Sequence, residues 1–259
     1  IEQSCDVYFY EVARKVGIDK IAEMARRFGL GAPTGIDLPT EAAGLMPTKA
    51  WKQRRFKKQW QLGETLIAGI GQGFVLTTPL QLAVMTARIV NGGKAVTPRL
   101  LRMREAAELS TSVGPIDVSA KHLAIVRRAM QQVTTGAHGT ARGAQIHTPA
   151  FRMGGKTGTS QVRRITKDER RTGVLKNDEL PREARDHSLF VGYAPLERPR
   201  YACAVIVEHG GSGSQVAAPI ARDVLLEAQT RRSVEWRSNA QSGSPEAHSL
   251  EDHGPGDHG

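Results

Sequence analysis

The stretch Phe151-Arg152-Met153-Gly154-Gly155-Lys156-Thr157-Gly158-Thr159-Ser160-Gln161-Val162 decides how this chain is read. It reads as a strand, yet Gly154, Gly155 and Gly158 lie inside it. Glycine weakens a strand, so its presence there needs a reason, and the usual one is close approach of a ligand or of another backbone. Lys156, Thr157 and Thr159 add a positive charge and two hydroxyl donors, a combination that suits a ligand carboxylate lying along the strand. A ligand could also pair with the strand backbone as an added strand. A Gly-rich bulge carrying an exposed lysine is the alternative, and these residues alone leave both open.

Working outward, Ser188 to Ala194 and Tyr201 to Glu208 read as two further strands. A short turn containing Pro195 and Pro199 joins them into a hairpin. A helix from about Ala217 to Ala228 follows, with Ile220, Val224 and Leu225 expected to face inward. Upstream the pattern is helical. Val7 to Phe28 reads as two helices broken at Gly17, with Asp19 as the expected cap of the second. Pro79 to Val90 carries the clearest signals: Thr78 as N-cap, Pro79 in the first helical position, Gln81 closing a capping box, and Asn91-Gly92-Gly93 as the stop. Another amphipathic helix starts at Ser119, with Leu123, Val126, Met130 and Val133 on one face. Helices, then antiparallel strands, then a helix make an α+β pattern.

Two segments fall outside that pattern. Arg163 to Asp186 is a long, highly charged loop between strands, and loops of that length tend to be functional. It is expected to act as a mobile flap over the groove. The end of the chain is rich in Ser, Gly, Pro, Glu and His. Residues 233–259 are therefore expected to form a disordered tail after a domain at 1–232. His248, His253 and His258 in that tail read as solvated rather than metal-binding.

The 259 residues, 39% hydrophobic and 24% charged, are ordinary for a globular chain with a core. No run of about 18 apolar residues spells a membrane span. The chain opens on Ile1, inside what reads as a helix, so a fragment with any anchor lying upstream is expected. Net charge is +10, a balance that favours anionic partners. Lys49, Lys52, Arg54, Arg55, Lys57 and Lys58 interleave with Trp51, Phe56 and Trp60. Basic and aromatic residues mix this way in nucleic-acid binders, but no nucleic-acid module is matched. The cluster reads as a solvated loop with packed aromatics. Cys5 and Cys203 have neither metal nor disulfide-framework spacing, and Cys203 reads as a buried thiol.

A second candidate is Ser4-Cys5-Asp6, ahead of the first helix. Alone it reads as plain helix capping by Ser4 or Asp6. With Lys156-Thr157-Gly158 it gains meaning. Serine acyl-transfer enzymes combine a Ser-x-x-Lys nucleophile, a Ser-Asp-Asn-type loop and a Lys-Thr-Gly strand. The second and third occur here in that order, 152 positions apart.

Together these motifs, with Gly69-Ile70-Gly71-Gln72-Gly73, Thr78-Pro79-Leu80-Gln81 and Phe190-Val191-Gly192-Tyr193-Ala194-Pro195, resemble class B penicillin-binding proteins. The likeness covers roughly residues 1–230 and is greatest to the elongation-specific penicillin-binding protein 2 type, which tends to carry Asp at the position of Asp6. The resemblance implies an antiparallel sheet flanked by helices with an all-helical subdomain, here N-terminally truncated. It implies a D,D-transpeptidase that cross-links peptidoglycan stem peptides at D-Ala-D-Ala and is trapped by β-lactams. It implies Ser4 as proton relay, Asp6 as orienting group and Lys156 as positive charge. Thr157 and Thr159 would bind the donor carboxylate. The Thr159 N–H, beside Gly158, would stabilise the oxyanion. No metal or organic cofactor is implied. Implied partners are a polytopic membrane glycosyltransferase and the stem peptides, with no nucleic acid, and the implied location is an inner-membrane anchor with a periplasmic catalytic domain.

One departure is plain. No serine in the chain is followed by a lysine three residues later; Ser119-Ala120-Lys121 has the wrong spacing. The nucleophile motif is expected upstream of Ser4, and the chain alone is expected to resist acylation. A β-lactam sensor domain of the same fold is the alternative function. A class A β-lactamase would need a deacylating carboxylate, for which Glu41 and Glu64 are the nearest candidates.

Overall fold

A computed structural model describes residues 1–100, 114–163 and 165–241. The expected two-helix opening is present as α1 (Asp6–Val16) and α2 (Ile18–Arg27), with Gly17 between them at φ +80°. Asp19 does not cap α2. It lies within the first turn of that helix, and its Oδ1 accepts from the backbone N–H of Lys49, 3.1 Å away. Lys49 opens α3 (Lys49–Phe56), and the N–H groups of a helix's first turn have no partner inside their own helix. Next come α4 (Leu62–Ala68) and α5 (Pro79–Val90), the latter with the expected Thr78–Gln81 capping box. After α6 (Ala120–Thr135), capped by Ser119, the chain becomes β1 (Gly154–Ser160), β2 (His187–Ala194) and β3 (Tyr201–Val207). These form one antiparallel sheet in the order β1-β2-β3, pairing Lys156 with Val191 and Gly192 with Cys203.

The sheet is sandwiched. Side chains alternate across a strand, so Phe190 and Tyr193 of β2 face opposite ways. Tyr193 packs with Val90 of α5 and Met130 of α6. Phe190 packs under α8 (Ala218–Gln241), against Leu225, Ala221 and Met153. The expected inward stripe of that last helix needs correcting. Leu225 is 1% exposed, but Ile220 is 43% and Val224 51% exposed. Ala217, Ala218 and Ala221 take the inner face instead. The Phe190 ring already fills the space above the sheet, so only small residues let the helix axis come close. The helix also runs past its expected end at Ala228 to Gln241. Most of the expected tail, residues 242–259, lies outside the described residues.

The charged segment between β1 and β2 holds more structure than a bare loop. It contains α7 (Lys167–Thr172), capped by Thr166 and Glu169, with an Arg163–Glu169 ion pair at 2.5 Å. At its base Asn177 and Asp186 share two hydrogen bonds. The basic cluster is likewise a helix, α3, rather than a loop. Lys52 is buried at 7% exposure, ion-paired with Glu64 and 5.9 Å from the Trp60 ring. Trp51, Phe56 and Trp60 pack around Phe74, while Arg54, Arg55, Lys57 and Lys58 stay exposed.

Candidate active site

The site forms where the helical layer meets the free edge of β1. Ser4 sits just before α1 in a left-handed conformation, φ +50°. The N-cap of α1 is Cys5, without a side-chain capping bond, so neither Ser4 nor Asp6 is spent on capping. Two backbone bonds hold the segment in place, from Ser4 N to Ile1 O at 3.3 Å and from Thr140 N to Glu2 O at 3.2 Å. The Ser4 hydroxyl then lies 2.5 Å from the Lys156 ammonium, which also donates to Thr157 O at 2.7 Å. Residues 152 positions apart thus meet across one groove.

That groove contains a cavity of about 350 Å³ walled by Ser4, Asp6, Lys156, Thr157, Gly158 and Thr159, the six residues singled out from sequence. Burial of Lys156 pulls its pKa below the ordinary lysine value, since desolvation penalises the ammonium, while the charge of Asp6 acts in the opposite direction.

The strand presents its backbone to the cavity. In an antiparallel ladder alternate residues turn both N–H and C=O away from the partner strand. Thr157 O accepts from Lys156 Nζ, and Thr159 O accepts from Gln72 Nε2 at 2.8 Å. Thr157 and Thr159 therefore carry the outward parity, and the Thr159 N–H points to the open edge with its carbonyl. The glycines meet the second of the two expected reasons, close approach of another backbone, with the Phe190 ring added at Gly155. A Cβ on Gly155 would lie 2.4 Å from the Phe190 ring and 2.3 Å from Val191 O, so this glycine answers to the core. A Cβ on Gly213 would meet Gly158 O at 2.3 Å, so the turn at residues 212–214 presses directly on β1.

Four polar residues of the cavity wall were missed from sequence: Gln72, Thr140, Ser212 and Ser214. Thr140 Oγ1 is hydrogen-bonded to Thr157 Oγ1 at 2.9 Å and fixes that hydroxyl. Ser212 and Ser214 share a hydrogen bond of 2.9 Å and open a π-helical turn, Gly213–Ala217, ahead of α8. Ser188 ties this turn to the sheet, donating to Ser212 O and accepting from Ala217 N. Gln72 had a signal, since it lies within Gly69-Ile70-Gly71-Gln72-Gly73. The serines had none, because only tertiary packing brings them to β1.

The two carboxylates weighed for deacylation are engaged elsewhere. Glu41 accepts from the N–H groups of Thr34 and Gly35, and Glu64 pairs with Lys52 and accepts from Gln61 N. Neither lines the cavity. Among the described residues no three His, Cys, Asp or Glu side chains gather as a metal site requires.

Residues 1–226 match the penicillin binding protein transpeptidase domain. The peptidoglycan D,D-transpeptidase MrdA of Haemophilus influenzae is 40% identical over 232 residues, which is 87% of this chain and 35% of that protein. MrdA of Acinetobacter baumannii is 41% identical over 85% of this chain and 33% of its own length. The chain thus spans about a third of these relatives. Pseudomonas aeruginosa PBP2, solved with WCK 5153, superposes with a TM-score of 0.72 at 40% identity, covering 88% of this chain and 48% of that one. PBP2 of Helicobacter pylori, solved with MreC, gives 0.73 at 31% identity, covering 88% and 39%. With its Ser4–Lys156 groove on the edge of an antiparallel sheet, the chain belongs to the penicillin-binding transpeptidase family and is a transpeptidase domain of the PBP2/MrdA type.

Proposed function

We propose that this groove is the donor site of a peptidoglycan D,D-transpeptidase, and that it works with a serine nucleophile from a segment outside these 259 residues. The observation that carries the reading is the Lys156–Ser4 contact beside an unpaired strand edge. A stem peptide ending in D-Ala-D-Ala lies along β1 as an added strand. Its carboxylate meets the Thr157 and Thr159 hydroxyls and the Lys156 charge. The nucleophilic serine, carried on a Ser-x-x-Lys segment whose lysine Asp6 orients, attacks the penultimate carbonyl as its hydroxyl proton passes to that lysine and on to Ser4. The Thr159 N–H and the serine's own N–H hold the resulting oxyanion, where one donor is worth about 10²–10³ in rate. Ser4 passes a proton to the departing D-Ala amine, and an acyl-enzyme forms. An amine of a neighbouring stem then attacks the acyl carbonyl. Its proton passes back through Ser4 and that lysine to the departing serine oxygen, so atoms and charge balance over the cycle.

β-Lactams mimic the donor and stop at the acyl-enzyme. An inner-membrane anchor, a periplasmic domain and a membrane glycosyltransferase partner belong to the same reading. It is supported by relatives solved with MreC and within a peptidoglycan synthase complex. Among the described residues no helix is long and apolar enough to cross a membrane. The test is fluorescent penicillin. The 259-residue chain should stay unlabelled, and a longer protein carrying the upstream Ser-x-x-Lys should label at that serine. Covalent labelling of the short chain at any residue would sink the nucleophile assignment.

A further inference from the structure

Among the described residues β1 is an edge strand, and an unpaired edge is an open template for any extended chain. At the position where a donor peptide has to pair, the edge is already occupied. Gln72 Nε2 donates to Thr159 O at 2.8 Å, from a loop 87 positions away in the sequence. Gln72 and Thr159 also line a second cavity of about 330 Å³, with Val75, Leu76, Leu189 and Ile206 among its walls. The bond therefore spans the groove and separates a polar chamber, containing Lys156, from a more apolar one. Gly71 and Gly73, at φ +78° and +77°, flank Gln72. Both adopt a backbone conformation that other residues rarely take, and a Cβ on Gly71 would meet nothing within 4 Å, so the loop has room to move on that side.

We propose that Gln72 is a displaceable cap on the donor-binding edge, whose carboxamide stands in for the backbone N–H of the incoming peptide at Thr159 O. The cap resolves a conflict in the design. A transpeptidase groove needs a free strand edge for its substrate, whereas a free edge also pairs with unwanted strands. A side-chain amide satisfies the carbonyl in the resting state and leaves when a main-chain amide arrives. A neutral hydrogen bond exchanged against water is worth little net, so the cap lowers affinity for a true donor only about three- to tenfold. The proposal rests on the donor-site reading above.

The test uses the full 259-residue chain and diacetyl-Lys-D-Ala-D-Ala as probe, followed by NMR. In the free chain the Gln72 side-chain amide protons should show the small temperature coefficient of a bonded donor; water-like behaviour overturns the cap. On titration, perturbation of Lys156 and Thr157 reports donor binding, and the Gln72 amide should move to its solvated position in step with them. If Lys156 and Thr157 respond while Gln72 stays bonded, the cap is wrong and the donor site stands. If none of them responds at millimolar peptide, the donor-site reading fails and the cap falls with it. Gln72→Met keeps the length but removes the donor, and should tighten binding about three- to tenfold. Gln72→Ala guards against a packing artefact and should agree. Unchanged or weaker binding in both variants overturns the cap.

Discussion

The groove has two walls built by different physics. The strand wall, β1, is set by packing: Gly155 is pressed against Phe190, and Tyr193 fills the opposite face. The helical wall, Ser4 to Asp6 and α1, is held at its two ends: Ile1 packs at the margin of the core and Ala13 is buried against Gly69, with backbone hydrogen bonds between. Its helix leaves Val7 71% and Tyr8 63% exposed. Lys156 belongs to the first wall and Ser4 to the second, so the 2.5 Å contact between them joins a rigid half to a lightly held one. The position of the lysine is thereby set by the core, whereas that of the serine depends on the packing of Ile1 at the margin of the core and on a few bonds around Glu2 and Thr140.

The comparison breaks most visibly in stability. Phe190→Ala empties the space between sheet and α8 and should cost about 3–5 kcal/mol in urea unfolding. Tyr8→Ala on α1 should fall within about 0.5 kcal/mol, as substitutions of exposed residues do. Equal losses at the two sites would mean that both walls are held alike. The next largest effect is on donor binding. Lys156→Ala removes a charged hydrogen-bond partner of the carboxylate and should weaken diacetyl-Lys-D-Ala-D-Ala about tenfold to a hundredfold by calorimetry. Ser4→Ala, which removes a proton relay rather than an anchor, should change that affinity by less than about threefold. A Ser4 loss as large as the Lys156 loss would reassign Ser4 to binding.

How far the sequence could be read follows the same division. Local chemistry was legible: Thr78-Pro79 with Gln81 wrote its own helix start, and α6 begins at Ser119 as expected, with that serine as its cap. The two strand-like runs and the turn with Pro195 and Pro199 between them announced the β2–β3 hairpin, while its register came only with the structure. The Lys-Thr-Gly strand and the Ser-x-Asp segment could be paired because they resemble, in order, two of the three motifs of serine acyl-transfer enzymes. Features decided by shape across long sequence distances were not legible. Nothing in Ile220 or Val224 says that the ring of Phe190 leaves room only for alanines beneath α8. Nothing near Asp19 says that Lys49 will bring its N–H to that carboxylate. Ser212, Ser214 and Thr140 are unremarkable residues that the fold delivers to β1.

Titration sharpens the contrast further. Lys156 has its pKa lowered by burial, so between that value and the ordinary lysine range near 10.4 the unfolded chain binds more protons. Stability should therefore rise with pH through that window, and below it the cost of burying the ammonium is fully present. Cys203 is pushed up to about 11 by desolvation. Between the ordinary thiol range and 11 the folded chain binds more protons, and this group makes stability fall as pH rises. The two slopes oppose each other and can be separated. Lys156→Met should remove the rise and Cys203→Ser the fall, read as urea midpoints from pH 7 to 11. The same desolvation predicts that iodoacetamide at pH 8 alkylates exposed Cys5 in the folded chain and spares Cys203.

The smallest effect concerns the segment from Arg163 to Asp186, which meets the strand wall at its base, where Asp186 accepts from the N–H groups of Val162 and Gly211. Its α7 is six residues long, far below the length at which an isolated helix persists in water. What holds it is the Thr166–Glu169 capping box and the ion pair of Glu169 with Arg163, both near the surface and each worth about 1 kcal/mol or less. Amides of α7 should therefore exchange with solvent orders of magnitude faster than those of β1 and β2, which open only with the core. Glu169→Gln removes the ion pair but keeps an acceptor for the cap, so it should speed exchange within α7 severalfold and leave β1 unchanged. If α7 exchanged as slowly as β1, the segment would be part of the rigid wall, and a flap opening over the donor groove would have no hinge to turn on.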